Sequence, residues 1–190
     1  KERFYLECNL IVYVISGRRI FHKNGKTWDL KEGTCVFIKK GTHISEKEEG
    51  DGWCVMAFFM PDNFLKQLIK ENQKNLPLTN LPEAFVDHIL PLEVNDLSKS
   101  FFFSMLAYFT QTPPPPENLL ELKFKELILS LLTQKQNRRF LSYLNNLRND
   151  KQPSLEDIVQ NNYTFNLTLA EYASLACKSV PTFQSEFKKI

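Results

Sequence analysis

Four glycines spaced eight residues apart constrain the fold of the first third of this chain. Gly17, Gly25, Gly33 and Gly41 recur at this interval, and all six glycines of the 190 residues lie within the first 52. Glycine tolerates the positive φ angles of tight turns, and the segments between these glycines are rich in the residues that favour strands. The pattern predicts an antiparallel β domain, a barrel or a sandwich, with strands at 10–15, 19–22, 27–30, 34–39, 44–48 and 53–60.

After Met60 the apolar residues recur with the 3.6-residue period of helices. This period predicts helices at 62–72, 96–110, 117–134, 136–147, 154–161, 169–176 and 180–190. Four consecutive prolines, Pro113 to Pro116, cannot lie inside a helix and indicate a stiff connection before the helix that begins at Glu117. We therefore predict an α+β protein whose second half is helical.

Composition and cysteine usage narrow the class of protein. Hydrophobic residues make up 43% of the chain, which is enough for the core of one large domain or of a domain with part of another. Cys8, Cys35, Cys54 and Cys177 contain no CxxC pair, so we expect reduced thiols in the cytoplasm, with Cys35 and Cys54 buried in apolar strands. We find no apolar run long enough for a membrane span and no export segment, and the net charge of +2 neither requires nor excludes an anionic partner.

The last 25 residues, NLTLAEYASLACKSVPTFQSEFKKI, predict two short helices joined by a tight turn. Thr168, followed three residues later by Glu171, forms a capping box for the first helix, and Ser179 is a good cap for the second. Cys177 and Lys178 supply the turn between them. Two helices crossing at such a turn follow the helix-turn-helix plan, in which the second helix enters the major groove of DNA.

The distribution of apolar residues on these two helices supports the same plan. On the first helix one face is predicted to be apolar, with Leu169, Tyr172, Ala173 and Ala176. On the second, Phe183 and Phe187 are four residues apart and are predicted to pack inward together. The opposite face is then polar and exposed. The alternative is an ordinary helical hairpin that does not bind DNA and whose outer polar face is solvated.

This segment resembles the first helix-turn-helix of AraC-type transcription regulators. The shared pattern is a leucine and an alanine in the first helix, a serine cap, and a phenylalanine followed four residues later by Phe-Lys-Lys, found here as Leu169, Ala173, Ser179, Phe183, Phe187, Lys188 and Lys189. The order of a β-rich domain and a helical linker is similar to the branch that regulates type III secretion. The resemblance covers nearly the whole chain, closely at its end and loosely at its start.

The resemblance implies which residues read DNA. Gln184 matches a position that reaches base edges, where its amide can bind adenine. Pro181 and Ser185 match neighbouring contact positions, and we expect Thr182 and Lys188 to add base or phosphate contacts. Residues 151–190 carry four lysines against Glu156, Asp157, Glu171 and Glu186, so this piece has no net charge to bind phosphates strongly by itself.

The resemblance also implies an architecture. We expect a sensing domain at 1–95, a helical dimerisation segment at 96–150, and the first part of a DNA-binding domain at 151–190. In the family this DNA-binding domain contains two helix-turn-helix units, so we expect it to be incomplete here. The expected partners are double-stranded promoter DNA, a second copy of the chain and an unknown small-molecule or protein effector. The expected function is sequence-specific regulation of transcription, by activation or by repression. Alternatives are a cupin-fold enzyme, a small-molecule-binding protein without a DNA function, and a helical interaction protein.

A second apolar stripe on the helix that begins at Glu117 predicts the dimer interface. One wide stripe of this helix is enough to pack on the β domain, yet Leu119, Leu122 and Leu129 lie on a different side. We predict that these leucines meet the same helix of a second copy in a twofold dimer. The alternative is a helix buried on both sides within one chain.

The β domain is similar to cupins in its turn and strand spacing around Lys31-Glu32-Gly33 and Lys39-Lys40-Gly41-Thr42-His43. Metal-dependent cupins use an HxH pair and a carboxylate, because a transition metal needs several converging donors. His22, His43 and His88 do not form such a pair, and His43 is interpreted as a loop or surface residue. We therefore expect no metal, no cofactor and no enzyme activity.

This expectation is tested by metal analysis. Protein purified without an affinity tag is expected to hold far less than one equivalent of iron, zinc or manganese, because too few soft donors converge. A tightly bound equivalent of any of these metals would contradict it and would favour the cupin-enzyme alternative.

Overall fold

Two antiparallel four-stranded sheets form the N-terminal part of the protein. The computed structural model describes residues 1–47, 52–83, 87–149 and 154–189. Its strands are β1 (Glu2–Leu6), β2 (Asn9–Ser16), β3 (Arg18–Lys23), β4 (Lys26–Lys31), β5 (Cys35–Ile38), β6 (Gly41–Lys47), β7 (Cys54–Met60) and β8 (Ile89–Leu92). Sheet A has the order β1-β6-β3-β4, and sheet B has the order β7-β2-β5-β8.

The predicted turns are confirmed by their backbone angles. All four regularly spaced glycines have positive φ, between 75° and 120°. At the β3–β4 hairpin, Asn24 and Gly25 both have positive φ, as a two-residue turn between twisted antiparallel strands requires. The glycine spacing therefore sets where the chain reverses direction.

Helices occupy most of the remaining chain. They are α1 (Asp62–Asn72), α2 (Asp96–Thr110), α3 (Glu117–Leu132), α4 (Arg138–Arg148), α5 (Leu155–Gln160), α6 (Leu169–Leu175) and α7 (Val180–Phe187). The seven predicted helices are confirmed, with ends that differ by at most three residues. The mixed fold of sheets followed by helices that the sequence predicts is also confirmed.

The described residues bury three apolar clusters. The largest lies between one face of sheet B and helices α1 to α4. The second lies between sheets A and B. The third is small and belongs to helices α5 to α7, with Leu155, Ile158, Ala173, Leu175, Ala176 and Phe183 buried in it. The helices at 96–149 thus share their core with sheet B.

Four sequence predictions differ from the structure. Strands β1 and β8 were not predicted, because each is a short edge strand that pairs with a strand distant in the chain. His43 lies in strand β6 and is buried, since β6 is an inner strand of sheet A. Cys54 is exposed at the start of the edge strand β7, whereas Cys35 is buried as predicted. The predicted residue Glu48 and the boundary at 150–151 lie outside the described residues.

One buried amide joins the helical layer to strand β8. The side chain of Asn137 accepts a hydrogen bond from the Glu93 backbone N–H and donates to the carbonyl oxygens of Glu93 and Leu131, at 2.9 to 3.0 Å. Asn137 is buried, so these backbone groups have little access to water.

We expect Asn137→Ala to lower the free energy of unfolding by roughly 2–4 kcal/mol, because it leaves buried backbone groups without partners. Urea denaturation followed by circular dichroism measures this loss. The control is Gln136→Ala, at the exposed neighbouring position, which should change stability by less than about 0.5 kcal/mol. Equal effects of the two substitutions would contradict the role given to Asn137.

Candidate nucleic-acid interface

Helices α6 and α7 form the two-helix unit that the sequence predicts. The Thr168 hydroxyl accepts a hydrogen bond from the Glu171 backbone N–H, and the Glu171 carboxylate accepts one from the Thr168 backbone N–H. The predicted capping box is therefore confirmed. The Ser179 hydroxyl likewise caps α7 by accepting from the Thr182 backbone N–H.

The turn between these helices is closed by backbone hydrogen bonds. Cys177 adopts a left-handed conformation with φ of 54°, which ends α6. The Lys178 N–H donates to the Ala173 carbonyl and the Cys177 N–H to the Ser174 carbonyl, the pairing of a Schellman motif. Lys178 also forms an ion pair with Glu186 of α7 at 3.1 Å. The crossing of the two helices is thus fixed locally.

Phe183 anchors α7 to α6. Its ring is buried and stacks on Tyr172, with ring centroids 6.1 Å apart. Phe187 stacks on Phe183 with ring centroids 5.8 Å apart, but 45% of Phe187 is exposed. The predicted inward packing is therefore confirmed for Phe183, whereas Phe187 packs inward only in part. The predicted apolar face of α6 is also too wide, since Leu169 is exposed. Both exposed side chains lie at the margin of a small core.

The polar face of α7 is open to solvent. The five residues predicted to read DNA are all exposed: Pro181, Thr182, Gln184, Ser185 and Lys188. Thr182 Oγ1 lies 2.8 Å from Ser179 Oγ, so its hydroxyl takes part in the helix cap. Lys188 stands at the C-cap of α7, one turn beyond Gln184. The accessible polar groups at the centre of this face therefore belong to Gln184 and Ser185.

Polar contacts attach the C-terminal unit, defined as residues 154–189, to sheet A. The buried ammonium of Lys23 donates to the Thr42 carbonyl and hydroxyl at 2.6 and 2.8 Å and to Asn162 Oδ1 at 3.3 Å. These three acceptors are neutral, and burial lowers the pKa of Lys23 to about 8. Asn24 donates to Asn161 at 2.6 Å beside this contact.

A second set of contacts ties the helix-turn-helix itself to the rest of the protein. Lys40 forms an ion pair with Asp62 of α1 at 2.8 Å and also donates to the Cys177 sulfur at 3.0 Å. The Tyr5 hydroxyl donates to the Glu171 carbonyl at 3.3 Å. These contacts use the side of α6 and its turn, and they leave the polar face of α7 exposed.

Two of the three histidines lie beside the Lys23 contact. The rings of His43 and His88 are nearly perpendicular, with centroids 6.3 Å apart. Burial lowers the pKa of His43 to about 3, and burial together with the nearby Lys23 and Lys39 lowers the pKa of His88 to about 4. Within the part of the chain that the structure describes, no three His, Cys, Asp or Glu side chains come together as a metal site.

Helices α2 and α3 expose apolar side chains on either side of the proline connection. Leu119 and Leu122 of α3 are exposed, as predicted, whereas Leu129 is half-buried against the main core. The prediction omits exposed apolar residues of α2, among them Phe103, Leu106 and Phe109. Their spacing of three places them on one side of the helix, which is the signal that identifies them.

Among the described residues, no helix combines the length and the apolar composition needed to cross a bilayer.

Comparison with known proteins gives one family match and several distant relatives. Residues 9–143 match the model of the ExsA N-terminal regulatory domain. The thermoregulatory protein LcrF of Yersinia pestis is 21% identical over 174 residues, which cover 92% of this chain and 64% of LcrF. The virulence regulon transcriptional activator VirF of Yersinia enterocolitica gives the same identity and coverage. The chain thus spans 64% of the length of these curated relatives.

Among solved structures, ToxT of Vibrio cholerae, bound to a naphthalenyl-butenoic acid, aligns with 97% of this chain and 68% of its own, with 11% identity and a TM-score of 0.49. The AraC-like transcriptional activator CuxR aligns with 96% of this chain and 66% of its own, with 10% identity and a TM-score of 0.46. The family match covers strands β2 to β8 and helices α1 to α3 and ends within α4, and the helix-turn-helix follows it. The chain therefore belongs to the ExsA N-terminal regulatory domain family, the branch of AraC-type regulators that the sequence resembles.

Proposed function

We propose that this chain is the sensing, dimerising and first DNA-reading part of a transcription activator. The observation that carries the proposal is a capped helix-turn-helix in which α7 presents an open polar face while α6 and the turn after it contact the β domain. The curated relatives are named as a thermoregulatory protein and a transcriptional activator, in agreement with this function.

Each of three parts of the chain has one proposed role. Residues 1–95 receive an effector, either a small molecule or a protein, and residues 96–150 dimerise. Residues 151–190 supply the first reading unit for promoter DNA. The unit from Lys151 to Ile190 has a formal charge of zero, so phosphate attraction must come largely from other parts of the full-length protein.

Gln184 is the proposed centre of sequence readout. Its side chain is exposed on α7, and a glutamine amide can donate to and accept from one adenine at the same time. Ser185 is also exposed and shorter, and Pro181 has no side-chain donor, so these two add apolar or weak contacts. Thr182 contributes less than its position suggests, because its hydroxyl bonds to Ser179.

The apolar residues of α2 and α3 form the proposed dimer surface. Exposed phenylalanines and leucines concentrated on neighbouring helices are typical of a protein interface. Leu119 and Leu122 are the residues of α3 available to a partner, and Phe103, Leu106 and Phe109 extend the surface onto α2. A twofold axis would bring identical apolar surfaces together, which makes the contact self-complementary.

The readout proposal is tested in the full-length protein by selection of binding sites from random DNA. Gln184→Ala should lose roughly 1–3 kcal/mol of discrimination at one base pair and hardly change nonspecific binding. Lys188→Ala should weaken binding to all sequences and lower the salt slope by about 1.

The matched control is Gln160→Ala, which removes an exposed glutamine on α5 away from the polar face of α7. This variant should keep the preference of the unmodified protein. If Gln184→Ala also keeps that preference at every position, α7 does not read bases through this residue.

The dimer proposal is tested by light scattering. The double substitution Leu119→Glu and Leu122→Glu should give folded monomers, because four leucines of the dimer then lose burial worth about 6 kcal/mol in total. Leu129 stays unchanged in this variant, since its half-buried side chain supports the core.

The control for dimerisation is Leu97→Glu, at an exposed leucine that lies about 180° around α2 from Leu106. It should leave the dimer intact. A dimer that persists in the double variant, or an unmodified protein that is monomeric at micromolar concentration, would contradict the proposal.

A further inference from the structure

The positive charge of this chain is concentrated on helices α1 and α4. Residues 62–75 and 135–149 contain seven lysines and arginines against two acidic residues, which gives a formal charge of +5, whereas the whole chain carries +2. The two helices pack against each other, and Arg148 at the end of α4 donates to the side chain of Gln73, the C-cap of α1, at 3.1 Å. One helical layer is therefore basic, while residues 151–190 carry no net charge.

The solvent side of α1 carries a row of amides and lysines. Asn63, Gln67 and Lys70 are exposed and lie on the same side of the helix, because they are four and three residues apart. Lys74 is exposed in the turn after α1 and continues this spacing by four residues. The opposite side of α1 is buried in the main core through Leu65, Leu68 and Ile69. Lys70 and Lys74 thus face water at the same end of the row.

The ammonium groups of Lys70 and Lys74 are available to a ligand. Within residues 1–47, 52–83, 87–149 and 154–189, neither side chain forms an ion pair or a hydrogen bond. The two carboxylates of α1, in contrast, already have cationic partners. Asp62 is paired with Lys40 at 2.8 Å, and Glu71 is paired with Lys125 of α3 at 3.4 Å. The charge of the two lysines is therefore left without a protein counterion in the described part of the chain.

The beginning of α1 lies beside the turn of the helix-turn-helix. Asp62 accepts a hydrogen bond from the Cys177 thiol at 3.4 Å, and Lys40 contacts both side chains. Helix α7 begins three residues after Cys177. Since an α-helix rises 1.5 Å per residue, the backbone of Lys70 lies about 12 Å along α1 from Asp62. This distance is well below the roughly 34 Å of one turn of B-DNA, so a duplex that contacts α7 continues past α1 within a fraction of its own turn.

We propose that Lys70 and Lys74 bind phosphates of the DNA beside the bases that α7 reads. This inference rests on the proposed DNA-binding function and assigns the regulatory domain a direct contact with the same duplex. Phosphate oxygens accept hydrogen bonds from ammonium groups irrespective of the base sequence. Helix α7 then supplies the sequence preference, and α1 supplies part of the electrostatic affinity that residues 151–190 lack.

The choice of DNA as the ligand follows from charge and position together. Any polyanion, including an acidic protein, is attracted to an exposed basic surface. The ion pair and the thiol contact at Asp62 place this surface next to the unit whose proposed ligand is DNA, and that unit has no excess of positive charge of its own.

The test measures the affinity of the full-length protein for two duplexes, one recovered by the binding-site selection and one of unrelated sequence, between about 50 and 200 mM salt. The variant is the double substitution Lys70→Gln and Lys74→Gln. It should lower the slope of log affinity against log salt by about 1.8 per bound chain, because each phosphate contact contributes about 0.9. Affinity for both duplexes should fall by the same factor, so the preference for the selected sequence stays unchanged.

Two control variants separate phosphate binding from other effects of the substitutions. Lys70→Arg with Lys74→Arg keeps both charges and should keep the slope. Lys31→Gln with Lys47→Gln removes the same charge from exposed positions at the end of sheet A that is opposite Lys23 and the C-terminal unit, and it should also keep the slope.

An unchanged slope in the Lys70 and Lys74 glutamine variant, or an equal loss in the Lys31 and Lys47 variant, would overturn the inference. The proposed function would survive either result, provided that the unmodified protein prefers the selected duplex and Gln184→Ala removes that preference. An unmodified protein that binds neither duplex would contradict both proposals.

Discussion

Burial of sheet B on both faces is the constraint on which the rest of this structure depends. Strand β2 turns Leu10, Val12 and Val14 towards sheet A, while Ile11 and Tyr13 face helices α1 to α4. Such a strand is apolar on both sides, so a shift by one residue would still bury apolar side chains. The polar exception is Asn9, which is fully buried.

Asn9 explains how this strand finds a unique register. Its amide donates to Asp62 at 2.7 Å, and its carbonyl oxygen accepts from the Lys40 backbone N–H at 3.1 Å. A slip of one residue would remove both partners and leave a buried amide unpaired, which is unfavourable even if the apolar side chains pack equally well after the slip. The same Asp62 and Lys40 contact the turn between α6 and α7 through Cys177, so the register of β2 also positions the C-terminal unit.

The sequence predicts features that depend on neighbouring residues and misses those that depend on distant ones. Helix ends and the capping box at Thr168 depend on spacings of one to four residues, and the turn at Gly25 depends on the conformational freedom of that one residue. Strand β8 is not, because it becomes a strand by pairing with β5, more than 50 residues earlier. His43 was interpreted as exposed for the same reason: its burial comes from the pairing of β6 with β1 and β3.

The candidate site shows the same division. Helical periodicity predicts the exposed face of α7, the family resemblance selects the five residues expected to read DNA, and all five are exposed. Leu129 was predicted to face a second copy of the chain but packs against the main core, because helical periodicity does not show how many other elements surround a helix. The contact of Lys23 with Asn162 could not be predicted, since the two residues are 139 positions apart.

The neutral acceptors of Lys23 have a consequence for salt. Dissolved ions screen attractions between exposed charges, and they act weakly on a buried ammonium held by carbonyl, hydroxyl and amide oxygens. Binding of phosphates, in contrast, weakens steeply as counterions are added. In the proposed complex with DNA, raising the ionic strength therefore weakens the phosphate contacts, while the opposite side of the C-terminal unit keeps its contact with the β domain.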